Sequence, residues 1–130
     1  MASTLDDTGK LVLRLTLGIL ILLHGVAKVT GGISGIEAMV TSAGLPAALA
    51  YGVYVGEILA PILLILGLYA RVGAVLIAIN MIFAIAFAHT DELLQLTRHG
   101  GWALELQGMF LFAAIALALS GPGRFGINRA

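Results

Sequence analysis

The chain has no cysteine. Disulfides, thiol redox chemistry, thiolate-bound zinc and cysteine-ligated iron–sulfur clusters are therefore excluded for this chain taken by itself. Charge is almost as scarce, at 11% of 130 residues, against roughly 25% in soluble domains. The net charge is zero, and no basic, aromatic-studded patch makes a case for nucleic acid. Nucleophilic triads, phosphate loops and dinucleotide fingerprints are absent. So are the Glu-x-x-His pairs of carboxylate-bridged di-iron bundles, and no metal site is expected. Gly121-Pro122-Gly123 reads as a helix stop. The first ten residues, MASTLDDTGK, lack a basic leader region, and no small-residue cleavage pattern follows early enough. The first apolar run is therefore expected to be retained.

What the chain does have is apolar surface: 60% of its residues are hydrophobic, which points to the bilayer. Its length suits one domain, residues 1–130. Four runs are long and apolar enough to approach the roughly 20 residues a bilayer crossing needs. They are residues 11–29, 47–68, 71–90 and 102–120. The turn at Gly67-Leu68-Tyr69-Ala70-Arg71 is so short that the third run must return antiparallel beside the second. Between the first two runs, Ile33, Ile36, Met39 and Val40 recur at helical spacing. That pattern fits a short interfacial helix covering a pocket, or else a loop with a turn or two of helix. The expected fold is an all-α integral membrane protein. It is a four-transmembrane-helix antiparallel bundle with a short interfacial helix between helices 1 and 2.

The first run organises the rest. At 3.6 residues per turn, Arg14, Gly18, Ile21, Gly25 and Lys28 share one stripe, with His24 a turn before Lys28. Glycines and cations on one stripe imply a face pressed against protein rather than lipid. In the second run, Ala48, Gly52, Gly56 and Ala60 form a small-residue ridge. Pro61 should loosen the backbone near Gly56 and Glu57. Five cations lie on the side of the termini (Lys10, Arg14, Arg71, Arg124, Arg129) and two opposite (Lys28, Arg98). Both termini are therefore expected in the cytoplasm.

With that topology, His24, Lys28, Glu57, His89 and Glu105 converge on the outer half of the bundle and form the candidate ligand-binding set. A midplane carboxylate such as Glu57 cannot reach water, so it must be paired, protonated or facing a polar cavity. Lys28 lies closer in depth to Glu105, and those two are expected to pair, leaving Glu57 to His24, water or a ligand. Arg14 and Lys28 could also snorkel to the span ends. Arg14, Asn80 and Arg71 are read as structural polar residues, Gln107 as an interhelical hydrogen bonder, and Trp102 as an interfacial anchor. His24 and His89 bracketing a haem is a weaker alternative.

The segments LRLTLGILILLHGVAK, GLP at residues 44–46, GEILAPILLILGLYAR, Met81 with Ala84 and His89, and GPGRFGIN resemble the DoxX family of small bacterial four-span membrane proteins. The resemblance covers most of the chain. Arg14, His24, Gly25, Lys28, Glu57, Arg71 and His89 match positions that the family pattern features. Two places depart from it. The tail carries Gly126-Ile127-Asn128 instead of a Ser-Leu-Asp-like triplet, and Ala103 and Leu104 intervene before Glu105.

The family takes its name from subunits of a thiosulfate:quinone oxidoreductase. The resemblance thus implies a subunit of a quinone-linked, redox-associated complex in the bacterial inner membrane. It would carry no covalent cofactor, would bind a quinone in the outer-half pocket, and would need a protein partner or a second copy. A non-catalytic scaffold, or a small-solute binding or transport protein, are the alternatives. A cavity open to lipid favours the first reading, a closed core the second and a water-connected path the third.

Overall fold

A computed structural model of the chain describes residues 3–88 and 93–129. These residues are all-helical, apart from one isolated bridge between Leu96 and Trp102. Helix α1 (Thr4–Gly31) opens on Ser3, whose hydroxyl accepts from the Asp6 N–H, the usual way of satisfying a first-turn donor. Helix α2 (Ser34–Ser42) is the short helix foreseen between the first two spans. Helix α3 (Ala47–Leu66), α4 (Ala70–Ala88) and α5 (Glu105–Ser120) follow. With α1, they make the four-helix membrane bundle that the hydropathy indicated. Helices α1, α3 and α4 are long and apolar enough to cross a membrane. Helix α5 has 16 residues, which gives about 24 Å at 1.5 Å per residue. It starts at Glu105 rather than at Trp102. His89 and Thr90, placed at the end of the third run from the sequence, lie outside the described residues.

Helix α3 is not uniform. A three-ten turn over Ala47–Tyr51 leads into a short α-helical stretch, then a π-helical turn over Val55–Leu59, then α-helix again from Ala60. The cause is local. Pro61 has no N–H, so an α-helical bond to the Glu57 carbonyl cannot form, and the proline ring crowds that same carbonyl. The chain accommodates this with one wider turn, in which the Ala60 N–H bonds to the Val55 carbonyl. Such single π turns concentrate at functional sites, and this one carries Glu57.

Of the α1 stripe, Arg14, Gly18, Ile21 and Gly25 are buried, with Leu17 beside them, while Lys28 at its end is only half-buried. Gly18 and Gly25 let α1 lie on the α3 backbone. A Cβ at Gly18 would come within 3.1 Å of the Pro61 carbonyl oxygen, and one at Gly25 would overlap the Glu57 carbonyl oxygen. The ridge on α3 is used only in part. Gly56 and Ala60 are buried, whereas Gly52 is exposed and has nothing within 4 Å of an added Cβ. A core of Leu17, Ile21, Leu64, Ile77, Phe110 and Leu117 fills the middle of the bundle.

The C-terminal tail folds back and closes the other end. Arg14, 1% exposed, donates from its two terminal nitrogens to the carbonyls of Pro122 (3.2 Å) and Phe125 (2.5 Å). Gly67, with φ 67°, ends α3 in the left-handed region, and a Cβ there would strike the Arg14 guanidinium and Gly126. The Asn128 side chain accepts from the Tyr69 N–H at 2.9 Å, holding Tyr69 at its positive φ of 48°. Arg71 reaches the carbonyls of Ala118 and Leu119, and Arg124 reaches Asp7 and Thr4. Arg14 and Arg71 are thus bound to backbone carbonyls of α5 and the segment after it.

Candidate ligand-binding cavity

Between α1, α2, α3, α4 and the start of α5 lies a cavity of about 590 Å³, within the range that takes a small organic ligand. Most of its wall is apolar. Ile36, Met39 and Val40 of α2 close one side, so the interfacial helix does cover a pocket, as its spacing suggested. Val55, Ile79 and Phe83 line the cavity and are also exposed. His24 of α1, Leu49 of α3 and Leu106 of α5 are exposed lining residues as well, so the cavity is not sealed from the surface of the bundle.

One polar row crosses this wall. The Lys28 ammonium donates to Glu57 Oε1 at 2.6 Å, and the Asn80 amide donates to Glu57 Oε2 at 2.9 Å. Both carboxylate oxygens are thereby occupied, as a buried charge requires. Glycines make the approach possible from two directions. Gly25 brings α1 onto the Glu57 backbone. Gly56 leaves room for Asn80, whose Cβ would lie 2.5 Å from a Cβ at position 56. The Tyr54 hydroxyl donates weakly to the Lys28 carbonyl at 3.4 Å, tying the end of α1 to α3.

This arrangement corrects the expected pairing. Lys28 is bonded to Glu57, not to Glu105. Glu105 is exposed in the first turn of α5, against Gly101, and is not among the cavity-lining residues. The physical reason is the late start of α5, which leaves Glu105 at the helix end instead of inside a span. Of the five residues proposed from the sequence, the cavity wall holds His24, Lys28 and Glu57, and His89 lies outside the described residues. His24 packs edge-on against Phe110, with ring centroids 5.8 Å apart. Asn80 and Gln107, read only as interhelical hydrogen bonders, also line the cavity. Their polarity within apolar runs was the available signal. Trp102 donates from its indole to the Leu93 carbonyl and packs on Gly108, fixing the segment before α5.

A protein-family model described as DoxX matches residues 9–90, a stretch that contains Lys28, Glu57 and Asn80 and ends before α5. Among curated proteins, the chain is 35% identical over 79 residues to "Putative oxidoreductase CatD" of Bacillus subtilis (strain 168). The matched region is 61% of this chain and 58% of that relative, so the chain spans little more than half of the relative's length. No solved structure matches.

Proposed function

The chain belongs to the DoxX family, and on that premise we propose that it is a redox-associated subunit that holds a quinone, or a similar amphipathic molecule, in this cavity. The relative's printed name describes an oxidoreductase, which supports the redox assignment. The observation that carries the proposal is the form of the cavity: about 590 Å³, largely apolar, with the bonded Lys28–Glu57–Asn80 row in its wall and exposed apolar lining residues on α3 and α4. A quinone needs an apolar slot reached from the bilayer and a few polar groups at its ring oxygens; in this reading the exposed lining residues Ile79 and Phe83 border the entry and the polar row meets the ring oxygens. A closed, fully packed bundle would have favoured a scaffold. Without cysteine, the chain has no thiolate-bound redox centre, so electrons would come from a partner protein. In this reading the protein sits in the bacterial inner membrane with both termini in the cytoplasm.

The test is native mass spectrometry of the full chain released from mild detergent. A retained adduct of quinone mass is expected. It should vanish in Ala84→Trp, where a large side chain fills the lining at Ala84. A wild-type protein that carries no quinone from quinone-replete membranes, and takes up none when it is supplied, would contradict the proposal.

A further inference from the structure

Lys28 and Glu57 both line the cavity, but they are not equally exposed. The Glu57 side chain is 6% exposed and that of Lys28 28%. Glu57 lies on the buried side, its backbone against Gly25, with one oxygen taken by Lys28 and the other by Asn80. Its oxygens keep further lone pairs, but at 6% exposure little of that capacity is within reach of a ligand. Lys28 is the reverse. An ammonium has three N–H groups; one goes to Glu57, and among the described residues no other side chain or backbone acceptor lies within hydrogen-bonding distance. Asn80 spends one of its two amide hydrogens on Glu57 and keeps the other together with its carbonyl oxygen. The spare groups of the two charged residues that a ligand can reach are therefore chiefly the two remaining N–H groups of Lys28, and the more exposed of the two charges is positive.

We infer that the cavity selects heads bearing oxygen acceptors, neutral carbonyl or anionic, and rejects cationic heads. Lys28 makes the contact, and Glu57 and Asn80 act as positioning residues. This rests on the reading that the cavity takes an amphipathic molecule, and it adds the chemical class of the head. Glu57 holds the ammonium inside the bundle, because a lysine near a helix end would otherwise extend toward the aqueous boundary. Asn80 fixes the second carboxylate oxygen, so that Glu57 keeps one orientation. For a quinone, the atoms recognised are the ring carbonyl oxygens. The buried carboxylate gives a cationic head little to bind, because its charge is already matched by Lys28.

The experiment compares three probes of similar chain length on the purified full chain, by native mass spectrometry titration: dodecanoate, a decyl-substituted benzoquinone and dodecyltrimethylammonium. Dodecanoate and the benzoquinone should each bind at least tenfold more tightly than the ammonium probe. Lys28→Met should erase that preference and Lys28→Arg should keep it. Glu57→Gln should narrow it and Glu57→Asp restore part of it, a pattern that a purely structural role for Glu57 would not produce. If Lys28→Met does not fold, Lys28→Met with Glu57→Gln removes both charges and must show the same loss of preference. Equal binding of all three probes, or a preference that survives loss of Lys28, would overturn the inference. Dodecanoate binding without the benzoquinone would uphold it and remove the quinone reading. Benzoquinone and ammonium binding alike would do the opposite, and no binding by any probe would end both.

Discussion

Removing Lys28 and removing Glu57 should cost different amounts, and the difference follows from their exposures of 28% and 6%. Lys28→Met leaves the carboxylate buried with only the Asn80 amide as a partner. Breaking a buried pair in this way costs about 3–5 kcal/mol. Glu57→Gln leaves an ammonium on a flexible stem, three residues from the end of α1, and such a side chain extends to water. Its cost is that of one hydrogen bond to a charged group, about 1.5–3 kcal/mol. The double variant Lys28→Met/Glu57→Gln has no charge left to strand. It should lose less than the sum of the two single costs, with an interaction energy of about 1–3 kcal/mol between the two sites. Reversible unfolding in mixed micelles of a mild and a denaturing detergent measures all four proteins on one scale. The reasoning is wrong if the two single costs are equal, or if the double variant loses the sum of both.

Three further outcomes follow from the same structure. Gly25→Ala pushes a Cβ into the Glu57 carbonyl, an obstacle that is backbone, and should cost about 1–3 kcal/mol as overpacking. Gly31→Ala meets nothing within 4 Å and should stay within about 0.5 kcal/mol in the same assay. Arg14→Leu removes the donors that hold Pro122 and Phe125. Trypsin should then cut after Arg124 much faster than in the wild type, and equal rates would count against the tail's dependence on Arg14. For orientation, a cysteine at Ser3 should resist an impermeant thiol reagent in intact cells while one at Thr97 reacts, with no native cysteine to compete; labelling at Ser3 from outside would reverse the topology.

The architecture was legible because membrane helices announce themselves through composition, and because the Arg14-Gly18-Ile21-Gly25-Lys28 stripe could only face protein. Glu57 stood out for the same reason: a carboxylate deep in an apolar run must have partners. Its partner was harder to read. Depth counted along ideal helices matched Lys28 to Glu105, but α5 begins only at Glu105, and α3 changes from three-ten to α to π geometry before Pro61. A proline four residues after a carboxylate was the visible sign of that irregularity, though not of the wider turn it produces. Asn80 looked like one more interhelical hydrogen bonder, because nothing in its own neighbourhood names Glu57. The tail's lock on Arg14 was the least legible feature. Arg14 binds the carbonyls of Pro122 and Phe125, and a backbone carbonyl leaves no mark in residue type. Gly126 and Gly67, whose contacts allow the tail to lie against the turn, look in the sequence like ordinary loop glycines.

The central claim is that an amphipathic molecule occupies the cavity with its head at the Lys28–Glu57–Asn80 row. Photoaffinity labelling with an azido-benzoquinone bearing a ten-carbon chain, followed by peptide mapping of the labelled full chain, tests it most directly. Label is expected on residues 21–28, 53–57 and 79–84, in amounts that fall when Ala84→Trp fills the cavity. Label spread over exposed positions away from the cavity, such as Val12 and Phe112, at the same level in wild type and Ala84→Trp, would contradict the account.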